Sequence, residues 1–179
     1  MSENKDNLLN SRTDVLFDRL AHDLDEIIKV YRQLLDIVRQ EKELLVAADR
    51  EGLEENNSHK ELMLQKLRLA ETLRAKHATE LAQQIGADDE SPRLLEIASK
   101  FDLARGDKLR GFHSVLDVLV RRISDLNKEN AEYAEAALKT LHGAMGNVKD
   151  TLGGKKTYEK KGQFKPGPHQ SGNFVSKEV

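Results

Sequence analysis

Six histidines and thirty-one aspartates and glutamates are the side chains from which metal binding or acid–base chemistry could start in this 179-residue chain. Helical di-metal sites place a glutamate three residues before each ligating histidine, so that both project from one helical face. The positions three before His22, His59, His77, His113 and His142 hold Arg19, Asn56, Arg74, Arg110 and Lys139, so the motif is absent. The close carboxylate pairs Asp23 and Asp25, and Glu41 and Glu43, are two residues apart and would point to different sides of a helix. They are expected to be solvated. There is no cysteine, which removes thiolate metal sites, disulfides and a cysteine nucleophile. No Gly-x-Ser-x-Gly elbow and no phosphate-cradling glycine loop occurs. The expectation is a protein without catalytic residues, metal or cofactor, and not an enzyme.

Charge argues against nucleic acid as a partner. The net charge is -2, and the basic group Arg105, Lys108, Arg110, Arg121 and Arg122 is interleaved with Asp102, Asp107 and Asp117. That is the pattern of a mixed-charge helix face rather than a phosphate track. The start of the chain, MSENKDNLLNSR, is polar, and no run approaches the roughly 18 apolar residues of a membrane span. A cytoplasmic protein without stable membrane insertion is expected.

What remains is binding chemistry. Leu138, Leu141, Met145, Val148 and Leu152 are separated by three and four residues in turn, which aligns them on one side of a helix. An apolar row of this kind can pack back on its own protein, form a homodimer, or capture an amphipathic segment of another protein. Beyond it lies a segment with six lysines and two glutamates, a net +4, that still carries Tyr158, Phe164 and Phe174, three of the eight aromatic residues.

The elements that must position these residues are helices. Charged residues make up 34% and aromatics 4%, a composition typical of long helices and coiled coils. Over 7–48 there is no glycine or proline, and Leu16, Leu20, Leu24, Ile27, Tyr31, Leu34, Val38, Glu41 and Leu45 follow a 3,4 spacing. Such a helix would be about 60 Å long and needs a long partner. Asp49 to Gly52 offers a cap and a turn into a second helix over 53–85, whose leucines at 53, 62, 64, 67, 69, 73 and 81 do not fall on one seam and so call for two neighbours.

The stretch from Gly86 to Pro92 reads as a break, with Gly86 closing one helix, and Ser91 and Pro92 opening a short one over 92–103. A last helix over 107–152 carries the seam Phe112, Leu116, Leu119, Ile123, Leu126, Asn130, Tyr133 and Ala137. Asn130, a polar residue in a core position, is a candidate register pin. The fold class expected is all-α: an elongated antiparallel bundle of long helices with coiled-coil character over 7–152. Residues 153–179, with five glycines and two prolines, are expected to be a flexible, disordered basic tail.

The sequence LLDIVRQEKELLVAADREGLEENNSHKELMLQKL, from Leu34 to Leu67, resembles the FlgN-type flagellar export chaperones. In that family a first helix ends in Glu-x-x-x-Leu, an Asp precedes the turn, a Leu follows it, and a Lys leads into the second helix. Glu41, Leu45, Asp49, Leu53 and Lys60 stand in this order. The last helix of the family carries Asn-x-x-Asn before an apolar stretch, matched by Asn127 and Asn130. A Tyr shortly before a Gly follows, matched by Tyr158 and Gly162. The likeness runs from about Leu16 to Gly162; the extension beyond is longer and richer in proline than the family pattern.

The resemblance implies a cytoplasmic chaperone that binds hook-filament junction proteins and delivers them to the export gate of the flagellar type III system. On that reading Leu138, Leu141, Met145, Val148 and Leu152 form the cargo-binding face, and Tyr158 and Phe164 support docking to the export gate. The alternative is a structural or adaptor coiled coil that oligomerises through its last helix.

Overall fold

The computed structural model describes residues 2–152, with side chains described for 11–149 and for Thr151. The fold is all-α, and long helices pack together as expected. Four helices follow one another: α1 (Ser2–Ala47), α2 (Arg50–Ile85), α3 (Leu94–Ser99) and α4 (Leu103–Leu152). The chain divides into two units, Met1–Ala134 and Glu135–Val179, so that the division falls within α4.

In the first unit, α1 and α2 form a tight helical hairpin. α1 closes as Ala48 turns into the left-handed region, with φ of 53°, and the Asp49 amide bonds back to Leu44 O at 3.0 Å. The Asp49 carboxylate then accepts from the Gly52 amide at 3.0 Å and caps α2, satisfying one of the donors that a helix start leaves open. Two cross-pairs fix the direction: Asp23 meets His77, and Glu41 meets Lys60, so the helices are antiparallel. Asp14 meets Arg105 and Lys42 meets Glu129, so α4 runs parallel to α1 and antiparallel to α2. The unit is an up-down-up bundle in which α3 carries the chain from the end of α2 to the start of α4.

The 3,4 spacing of α1 is the spacing of its burial. Leu20, Leu24, Ile27 and Val38 are at most 1% exposed, and Glu41 and Leu45 continue the row half-buried. On α4, Leu119, Ile123, Leu126 and Asn130 are buried and Phe112 and Leu116 half-buried, but Tyr133, 42% exposed, and Ala137, also exposed, lie beyond the packed part of the expected seam. One cluster joins Leu16, Phe17, Leu20 and Leu24 to Leu81, Ile97 and Leu109; a second joins Leu34, Leu35 and Val38 to Leu119, Ile123 and Leu126.

The leucines of α2 differ from the sequence expectation. Leu62, Leu64, Leu69 and Leu73 are 39–70% exposed, and only Leu81 among those expected to pack is fully buried. The inner row of α2 is instead Asn56, Lys60, Met63, Leu67, Ala70, Arg74, His77 and Leu81, itself at 3,4 spacing but rich in polar residues. At about 100° per residue, Leu62, Leu69 and Leu73 form a separate row about a third of a turn away.

The junction also differs. Gly86, with φ of 67°, closes α2 as expected, but Ser91 and Pro92 do not open α3. The Asp88 carboxylate accepts from the amides of Glu90 and Ser91 at 3.1 and 3.3 Å and folds this stretch into a turn. α3 therefore starts at Leu94 behind Arg93, which gives no side-chain cap, and lasts six residues rather than twelve. α4 begins at Leu103 rather than 107, because the Asp102 carboxylate accepts from the Arg105 amide at 2.9 Å. Gly106 lies inside α4 against α3: a Cβ there would stand 2.7 Å from the Ala98 carbonyl oxygen, so this crossing of backbones excludes any side chain. Phe101 in the short connection stacks edge-on against Phe17, with ring centres 5.1 Å apart, and anchors the turn to α1.

Candidate functional site

Four of the residues that carry the resemblance, Glu41, Lys60, Asn127 and Asn130, converge. Lys60 of α2 donates to Glu41 Oε2 of α1 at 2.8 Å and to Asn127 Oδ1 of α4 at 3.0 Å. Asn130 donates its side-chain amide to Val38 O at 3.0 Å and to the same Glu41 oxygen at 3.1 Å. One carboxylate thus receives a charged donor from α2 and a neutral donor from α4, and all three long helices are tied in one polar layer. An exposed pair beside it, Lys42 with Glu129 at 2.7 Å, links α1 to α4 again, and the Lys42 ammonium holds the Glu129 carboxyl below the ordinary carboxylate range.

This layer ties the register of the three helices. A one-residue slip of α4 would move Asn127 and Asn130 away from Lys60 and Glu41 and leave half-buried charge without partners. The side-chain oxygen of Asn130 and both polar atoms of Asn56 are buried without a hydrogen-bond partner, so the layer is stabilising through specificity rather than through full satisfaction.

Two of the carboxylates expected to be solvated are in fact interior. Asp23 is 8% exposed and pairs with His77 Nδ1 at 2.5 Å, and Glu41 belongs to the polar layer. Their neighbours Asp25 and Glu43 are the solvated members of each pair, Asp25 held by Lys29 at 2.9 Å. Glu41 was already a member of the α1 seam by spacing; Asp23, next to Leu24, had no such signal. Three of the five basic residues of the α4 group are paired with carboxylates: Arg105 with Asp14 and Asp102, Arg110 with Asp107, and Arg121 with Asp117. Arg105 also lies over the rings of Phe17 and Phe101. Among the described residues no group of three metal-ligating side chains is placed to hold an ion, and no helix is long and apolar enough to cross a membrane.

The second unit contributes the end of α4. Every residue from 135 to 149 is exposed. Leu138, Leu141 and Val148 are each 56% exposed and Met145 is 62% exposed, all on one side of the helix by their 3,4 spacing. Leu152 is the last residue of α4, and its side chain lies outside the described set, as do Tyr158, Phe164 and the whole segment 153–179. The helix contains Gly143 and Gly146, and a Cβ at either would touch nothing within 4 Å. Each glycine lowers local helix stability by about 1 kcal/mol relative to alanine. The site is therefore a four-residue apolar row on a helix of limited intrinsic stability. It can bury apolar surface against a partner helix and has no group for bond-making chemistry.

Comparison with known proteins bears on the whole chain. The model of the family described as FlgN protein matches residues 16–166, from the first core leucine of α1 to beyond the end of α4. Neither the curated proteins nor the solved structures compared with the chain provide a match. With the family model covering far more than half of its length, and Glu41, Lys60, Asn127 and Asn130 of the resemblance gathered in one inter-helix layer, the chain belongs to the FlgN family of flagellar export chaperones.

Proposed function

We propose that this protein is the cytoplasmic chaperone of hook-filament junction proteins, that it holds their helical terminal regions against Leu138, Leu141, Met145, Val148 and Leu152, and that it delivers them to the export gate. The observation that carries the reading is the exposed row on the last helix of a chain from an export-chaperone family. Leu138, Leu141, Met145 and Val148 each keep more than half of their surface in water. Covering that remainder by an amphipathic helix is worth about 1 kcal/mol per residue, before the cost of ordering both segments. Tyr158 and Phe164 then serve the export gate, leaving the row free for cargo.

Co-expression of the full chain with the junction proteins of the same flagellar system, followed by affinity purification, tests this reading. A stable complex with those proteins is expected. No complex, together with a tight homodimer that buries the same row, would instead support an oligomerising adaptor.

A further inference from the structure

The apolar row of the second unit has two unlike edges. Its 3,4 spacing is that of a heptad, with Leu138 and Met145 at the a positions and Leu141 and Val148 at the d positions. The e positions along one edge are Glu135, His142 and Lys149, and the g positions along the other are Ala137, Ala144 and Thr151. All six are exposed. In paired helices, charges at e and g meet those of the partner and fix its orientation. Here one edge can make such pairs and the other cannot.

The charges of that edge are unspent. Glu135 and Lys149 have no ion pair among the described residues, although Lys139 stands four residues after Glu135, a spacing at which helix ion pairs form. Earlier on α4 the same spacing is closed, at 3.0 Å, between Asp117 and Arg121. Glu135 and Lys149 are opposite in sign and two heptads apart, about 21 Å along the helix.

Taking the apolar row as the cargo face, we propose that Glu135 and Lys149 determine which helix lies on it and in which direction. The bound segment is an amphipathic helix with a cation opposite Glu135 and an anion opposite Lys149, two heptads apart along one of its own edges. The same helix laid end for end turns that edge toward Ala137, Ala144 and Thr151, and both ion pairs are lost. A helix with like charges at the two places meets repulsion at one end of the row in place of attraction. The leucines supply adhesion and the charged edge supplies selection.

The inference rests on the cargo reading, and one titration of the full chain with a purified hook-filament junction protein separates the two. At low salt Glu135→Lys and Lys149→Glu should each weaken binding on the order of fivefold, the double reversal should weaken it further, and the losses should shrink as salt is added. Lys139→Glu, turned away from the row, should keep wild-type affinity. Lys149 also stands in the last turn of α4, where a cation favours the helix end. Glu135 lies well inside the helix, so a helix-end effect does not account for a loss in Glu135→Lys at unchanged far-UV helicity. Wild-type affinity in Glu135→Lys or in Lys149→Glu, or an equal loss in Lys139→Glu, would overturn the inference and leave the cargo face standing. A wild-type chain that binds no junction protein would overturn the cargo face and the inference with it.

Discussion

Asn130 of α4 donates its side-chain amide to the backbone oxygen of Val38 in α1, 3.0 Å away and 92 residues earlier in the chain. A core asparagine costs stability wherever it stands, and here its own oxygen has no partner. Its value is positional: with Glu41, Lys60 and Asn127 it admits one alignment of three long helices whose leucine seams alone would tolerate slippage by a heptad.

Removal of the one cation in that layer should expose its role. Lys60 and Glu41 keep only 22% and 16% of their side chains exposed, so Lys60→Met leaves a poorly hydrated carboxylate without its main partner. A loss of about 2 kcal/mol in denaturant unfolding is expected. Glu41→Gln/Lys60→Met should recover more than half of it, because the unpaired charge is then gone. Additive losses would mean that the two side chains do not interact.

Two glycines of α4 should respond in opposite directions. Gly106→Ala drives a methyl group against the Ala98 carbonyl, 2.7 Å away, and should destabilise the first unit by about 2 kcal/mol. Gly111→Ala meets nothing within 4 Å and should stabilise by up to about 1 kcal/mol. Thermal unfolding of the two variants side by side provides the check, and equal shifts would remove the case for close α3–α4 packing.

Much of this architecture was legible in the residues. The seams of α1 and α4 could be read from their 3,4 spacing because the leucines there are the buried ones. α2 misled for a physical reason: most of its leucines lie outside the inner row, where Lys60 and His77 are instead held inward by Glu41 and Asp23 of α1. Hydrophobicity along one helix cannot reveal that a lysine is interior when its counter-charge is 19 residues away. The start of α4 was missed because Gly106 reads as a helix breaker, while its absent side chain is what permits α3 to cross. The row from Leu138 to Val148 was visible as spacing. Its exposure was not, since the same spacing describes a packed seam.

The cargo helix should gain from a change that touches no partner. Gly143 is on the side of α4 away from Leu138, Leu141, Met145 and Val148, and a Cβ there meets nothing within 4 Å. Gly143→Ala should raise far-UV helicity slightly and tighten cargo binding by about fivefold, through a smaller ordering cost. Calorimetry on the purified pair would show it as a less unfavourable entropy. Weakened binding would place Gly143 within the contact itself.

The segment beyond α4 should affect delivery rather than capture. Tyr158→Ala is expected to leave cargo affinity within about twofold while reducing export of the junction proteins in a complementation assay, with Phe164→Ala showing the smaller effect. Equal loss of affinity and export would assign Tyr158 to the cargo site.

The affinity of Leu141→Asp/Met145→Asp for a purified hook-filament junction protein, measured by titration calorimetry alongside the wild type, tests the central claim most directly. The cargo-row account predicts binding weakened by at least about a hundredfold, since two buried carboxylates would replace two apolar contacts, with the helicity of the free protein unchanged. Wild-type affinity in that double variant would contradict it.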